Sequence, residues 1–228
     1  MNTLLSYSFP DTDDGRLQAL SSALSEAEQQ FSKNILSYKT HYDAEILFQQ
    51  FSQLQNLYTQ FLNNESKSRD NTESAYQTAK IYLTHFIQVL NMSVLRGEIP
   101  REQKLLYELD PDSPALPPLE IYDDFVLWGK RIISGEQARI GKRGTPIYNP
   151  PISKVIVFYE IFADLYAEHK LTRVNTQKYY KQIECMRTLV DRIIQDIWQQ
   201  VSDYCRDLPP EKFTAVCKKF GVIATIQS

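Results

Sequence analysis

Glycine is scarce in this sequence, with 7 in 228 residues. Folds made of many short strands need positive-φ positions at most of their tight turns, so the shortage argues for long helices with few connections. Cysteine is also sparse. Cys185, Cys205 and Cys217 are the only three and no CxxC pair occurs, which argues against a disulfide framework and for reduced thiols in a cytoplasmic protein. None of His41, His85 and His169 has a glutamate three residues before it, so the Glu-x-x-His signature of a bundle metal site is missing. No metal or cofactor is expected. Charge of either sign is not in excess: 25 Lys+Arg against 28 Asp+Glu leave a net charge of -3, so the chain as a whole is not built to coat a polyanion. Uninterrupted apolar runs are too short to span a bilayer. The start, Met1 to Tyr7, has neither a basic segment nor a sustained apolar one, so no signal peptide and no membrane partner are expected.

What the sequence does contain is one short pattern used twice. Arg69, Asn71, Thr72 and Tyr76 recur at the same spacing as Arg173, Asn175, Thr176 and Tyr180, both reading R-x-N-T-x-x-x-Y. Upstream, Phe51, Leu54, Leu57, Tyr58 and Phe61 align at the same offset with Val155, Phe158, Ile161, Phe162 and Leu165. Downstream, Ile99-Pro100-Arg101-Glu102 finds a counterpart in Leu208-Pro209-Pro210-Glu211 after a small length difference. We read a helical unit present twice. The motif has a structural account, in which Asn or Thr caps a helix and Tyr packs one turn in.

Apolar content of 43% and charged content of 23% suit a globular chain with a real core. Leu17, Leu20, Leu24, Ala27 and Phe31 mark one helix face, with Asp11, Asp13 and Asp14 at its positive end. Ser37 to Asp43 reads as an interruption or a bend. A second helix carries Leu47 to Phe61, Asn63 to Arg69 reads as a turn, and a third helix begins at Asn71 or Thr72 and stops at Gly97. Pro100 opens a short helical turn. Residues 110–118 hold Pro111, Pro114, Pro117 and Pro118 and read as a connector. The second half repeats the plan: a helix to about Ile140, a Gly/Pro loop at 141–151, a helix with Val155 to Leu165, and a turn at 170–175. A long helix then carries Ile183, Val190, Ile193, Ile197 and Val201, and a short one follows Pro209 and Pro210. The tail from Val222 to Ile226 is expected to dock as an extended segment. The fold class is therefore all-α: up-and-down bundles of long helices, an internal duplication of a three-helix unit with a short trailing helix. The units span 1–109 and 119–228, packed as one bundle or as two.

No pattern of catalytic residues emerges. Gly135 to Lys142 resembles a phosphate-binding loop only superficially, with five residues between its glycines and no Ser or Thr after the lysine. Charge is segregated, however. Glu108, Asp110, Asp112, Glu120, Asp123 and Asp124 precede a stretch with Lys130, Arg131, Arg139, Lys142, Arg143 and Lys154. The two stretches either pair with each other or leave a basic lip on the Gly/Pro loop, beside Tyr148. The expected role is a non-enzymatic helical interaction or scaffold protein, whose partner is another protein or a second copy of itself. The alternative is nucleic-acid or anionic-ligand binding through residues 139–154. Third is an enzyme with an unrecognised site between bundles.

Overall fold

A computed structural model describes residues 5–7, 9–29, 35–222 and 224–226. In order, these form β1 (Leu5–Tyr7), α1 (Asp13–Gln29), α2 (Tyr38–Leu95), a 3-10 helix (Arg101–Tyr107), α3 (Tyr122–Gly141), α4 (Ile152–Cys205), α5 (Pro210–Lys219) and β2 (Ala224–Ile226). The protein is an all-α bundle of long helices, with one short antiparallel ribbon that sets Leu5 opposite Ile226. The extended tail is thus paired. Its partner strand near the N-terminus carried no sequence signal. Among the described residues, no helix is long and apolar enough to cross a membrane.

One expected break lies earlier and two are helical instead. The chain is non-helical at 35–37, the Ser37 Oγ accepts from the Thr40 N–H at 3.1 Å, and α2 runs from Tyr38 through the rest of the expected interruption. The expected turns at Asn63–Arg69 and Lys170–Asn175 lie within α2 and α4, which run unbroken for 58 and 54 residues. Their polar residues are mediocre helix formers, each costing only about 0.5 kcal/mol against alanine. Neither stretch contains Gly or Pro, so nothing forces a stop. Asn71 and Asn175 therefore cap nothing.

The chain forms two compact units, Met1–Leu62 with Asn175–Ser228, and Asn63–Val174. They group the chain differently from the two sequence halves flanking the 110–118 connector, because their boundaries fall inside α2 and α4.

The first unit has its own core of Leu20, Phe51, Val190, Ile194, Ile197, Val201 and Phe220, drawn from α1, early α2, late α4 and the end of α5. Each such side chain contributes about 1.5–3 kcal/mol on burial. Two charge pairs hold α1 on α4. Arg16 donates to both oxygens of Asp191 at 2.7 and 3.1 Å, and Arg187 donates to both oxygens of Asp13 at 2.8 Å. Asp13 thus does more than offset the α1 dipole. Phe61 of α2 stacks on Tyr179 of α4, with centroids 4.6 Å apart, and the Thr176 hydroxyl donates to the Phe61 carbonyl at 3.4 Å.

The second unit collects Leu83, Phe86, Leu90, Tyr107, Phe125, Ile132 and Phe162 into a separate core. Tyr82 stacks on Phe158 at 4.4 Å. Thr72 is fully buried; its hydroxyl is set between two acceptors, the Ser68 carbonyl one turn back at 2.8 Å and the Leu165 carbonyl of α4 at 3.2 Å.

Candidate functional site

The Gly/Pro loop leaves α3 through a left-handed residue. Gly144 N–H bonds to the Arg139 carbonyl at 3.0 Å and Arg143 N–H to that of Ile140 at 2.9 Å, closing the helix with Arg143 at φ 67°. Glycine is the usual occupant of that position, and an arginine there is strained. Gly144 follows for a different reason. A Cβ on it would lie 2.8 Å from Arg139 Nη1 and 2.9 Å from the Arg139 carbonyl. The loop then continues through a cis Asn149–Pro150 bond and buries Ile147 and Pro150, while Tyr148 stays 75% exposed.

The loop is anchored from beneath by a buried polar network. Arg139 Nε donates to the Tyr107 hydroxyl at 2.8 Å and to Glu136 Oε2 at 2.9 Å. Arg139 Nη2 donates to Glu136 Oε1 at 2.9 Å and to the Thr145 carbonyl at 2.7 Å. The Tyr107 hydroxyl in turn donates to Glu136 Oε2, and Ile147 N–H donates to Glu136 Oε1 at 3.2 Å. Burial, reinforced by the bond to Glu136, raises the Tyr107 hydroxyl well above the ordinary phenol range, so it remains a donor. The network ties the 3-10 helix, α3 and the loop together.

This placement corrects the reading of Arg139 as a surface cation: it is 2% exposed and paired with Glu136. Arg131 is committed too, bonding Glu108 at 2.8 Å and lying 4.7 Å from the Trp128 ring centroid. Lys154 sits 5.1 Å from the Tyr82 ring centroid. Exposed Lys130, Lys142 and Arg143 enter no ion pair among the described residues. Of the acidic stretch, Glu108 pairs with Arg131, whereas Glu120 pairs with Lys80 and Asp123 with Lys170. The basic lip thus reduces to Lys142 and Arg143 at the start of the loop.

The repeated motif splits by residue. Arg69 and Arg173 are exposed, Asn71 is exposed and Asn175 half-buried. Arg69 pairs with its neighbour Asp70, at 3.5 Å. Thr72 and Thr176 are buried, and Tyr76 is buried with its hydroxyl donating to the Leu119 carbonyl at 2.6 Å. Tyr180 is 41% exposed, its ring 5.6 Å from the Arg187 guanidinium.

A groove not legible in the sequence lies in the second unit, between the last turns of α2 and the Pro-rich connector. Its volume is about 570 Å³, and Met92, Val94, Leu95, Pro111 and Pro114 supply its apolar lining. Leu95 is 80% and Met92 51% exposed. The connector is held in place by side chains beneath it. Lys104, 3% exposed, donates from Nζ to the Ser113 carbonyl, and Asn91 Nδ2 donates to that of Pro114 at 3.0 Å. Burial pushes the Lys104 ammonium below its usual value, against the opposing pull of Asp110 and Asp112. Four prolines in nine residues were the available signal for a stiff wall; the long-range clamps were not. No protein-family model, curated protein or solved structure matches the chain.

Proposed function

We propose that this chain is a non-enzymatic helical interaction or scaffold protein, built by duplication of a helical segment, that engages a protein partner through the second unit. The observation carrying this reading is the groove at Met92 and Leu95. Scattered exposed apolar side chains are normal on protein surfaces. Two large ones beside a walled apolar groove are the arrangement expected of a contact site. The groove is preformed, since Lys104 and Asn91 fix the connector, so little ordering cost opposes docking.

Reciprocal hydrogen bonds support the duplication. The sequence offset that carries Thr72 onto Thr176 also carries Leu165's counterpart, Phe61, onto Leu165. Thr72 bonds the Leu165 carbonyl and Thr176 bonds that of Phe61. Phe51 and Val155, Phe86 and Val190, and Leu90 and Ile194, related by the same offset, are all buried.

The test is the double substitution Met92→Lys with Leu95→Lys. Both positions are exposed, so stability is expected to change by no more than about 0.5 kcal/mol each. The native mass of the tagged chain isolated from its source cells, by size exclusion with light scattering, is expected to fall to that of the monomer. An unchanged complex would remove this groove from the reading.

A further inference from the structure

We propose that a second groove, over Ala75, receives an aromatic side chain from a protein partner; the choice of occupant rests on the duplication proposed above. In the first unit, α2 and α4 meet at Phe61 and Tyr179, whose rings stack at 4.6 Å. The offset that carries Thr72 onto Thr176 assigns Leu165 to the place of Phe61 and Ala75 to the place of Tyr179. In the second unit the same pair of positions therefore lacks both rings. There the helices leave a trough of about 360 Å³, with Ala75, Phe158, Ile161 and Leu165 as its apolar floor and Asn71 and Ser74 on its rim.

At both places a threonine hydroxyl bonds the facing helix's carbonyl, Thr72 that of Leu165 and Thr176 that of Phe61. The trough is not a site of looser packing alone: it is a surface from which a ring is missing. Ile161, 46% exposed, forms part of the uncovered floor. Among the described residues no charged side chain lines the trough, so a neutral ring is favoured over a charged side chain, which would lose hydration without gaining a counter-charge. The rim offers an amide and a hydroxyl where a phenol O–H would emerge. A tyrosine presented by a partner fits this chemistry, burying its ring while its hydroxyl stays near polar groups.

The probes are N-acetyl-tyrosinamide and N-acetyl-leucinamide, titrated into the full chain carrying 13C-labelled methyls. The tyrosine amide is expected to shift the Ala75, Ile161 and Leu165 methyls saturably, with the leucine amide several-fold weaker. Ala75→Tyr supplies the ring internally and is expected to abolish the response without lowering the unfolding midpoint. Ile161→Glu, at a half-exposed position, is expected to abolish it without filling the trough, which covers the case in which Ala75→Tyr does not fold. Tyr179→Ala opens the equivalent place in the first unit and is expected to create a new response at Leu57. A wild-type response at Ala75 with none gained by Tyr179→Ala would overturn the duplication while the trough assignment stands. No saturable response at Ala75, an equal response to the leucine amide, or a response that survives Ile161→Glu would overturn the trough assignment, whatever Tyr179→Ala does.

Discussion

Replacing Glu136 with leucine removes the one carboxylate paired with buried Arg139 among the described residues. The guanidinium would keep the Tyr107 hydroxyl and the Thr145 carbonyl but lose its counter-charge, and the Ile147 N–H would lose its acceptor. Breaking a buried ion pair from one side costs about 3–5 kcal/mol, and the stranded N–H adds about 1–3 kcal/mol at most. We expect a loss of at least about 3 kcal/mol for Glu136→Leu. The double change with Arg139→Met removes both charges but leaves the Tyr107 hydroxyl, the Ile147 N–H and the Thr145 carbonyl without these partners. With no unpaired charge left buried, it is expected to cost less than the sum of the two single changes. The assay is urea unfolding at pH 7 with linear extrapolation, in which an unchanged slope shows that stability alone has moved. A single-mutant loss below about 1 kcal/mol, or an additive double mutant, would refute the buried network and with it the anchoring of the loop.

Other expectations follow from particular side chains. Ile193→Ala empties part of the first unit's core, where Ile193 is 8% exposed, and should cost about 2–4 kcal/mol by chemical denaturation. A Cβ on Gly135 would lie 2.6 Å from Tyr107 Cδ1, so Gly135→Ala should destabilise by about 1–3 kcal/mol. Gly141→Ala meets nothing within 4 Å and should be neutral or stabilise by up to about 1 kcal/mol. Burial pushes the Cys217 thiol up to about 11 from its ordinary value of 9.0. The folded chain therefore keeps that proton where the unfolded chain loses it, and this contribution is full below pH 9 and lost as pH rises towards about 11. Cys217→Ala should flatten the fall in unfolding midpoint across that window.

Helical periodicity carried most of the elements. The apolar spacing of Leu17, Leu20 and Leu24 found α1, that of Ile193, Ile197 and Val201 found late α4, and Pro100 and Pro209 opened the two short helices they precede. The expected turns failed because polarity was read as a break. At Asn63–Arg69 and Lys170–Asn175 the helix continues without Gly or Pro to stop it, and mid-helix polar residues face solvent at little cost. Division of α2 and α4 between two cores depends on contacts far apart in sequence, such as Arg16 with Asp191, which no local pattern encodes. Arg139 was misread for a related reason. Charge alone suggested a surface, although Glu136 three residues earlier and the flanking Gly135 and Gly144 were the available signs of a buried pair under closely approaching backbone. No local pattern encodes the Met92–Leu95 groove, because its second wall is a connector whose position depends on Lys104 and Asn91.

Site-specific photocrosslinking in the source cells tests the scaffold reading most directly. A benzophenone-bearing residue replaces exposed Leu95 in one strain and exposed Gln137, on α3 in the same unit, in another. The groove reading predicts one discrete, heavier adduct from position 95 and none from position 137. No adduct from position 95, or the same products from both positions, would contradict it.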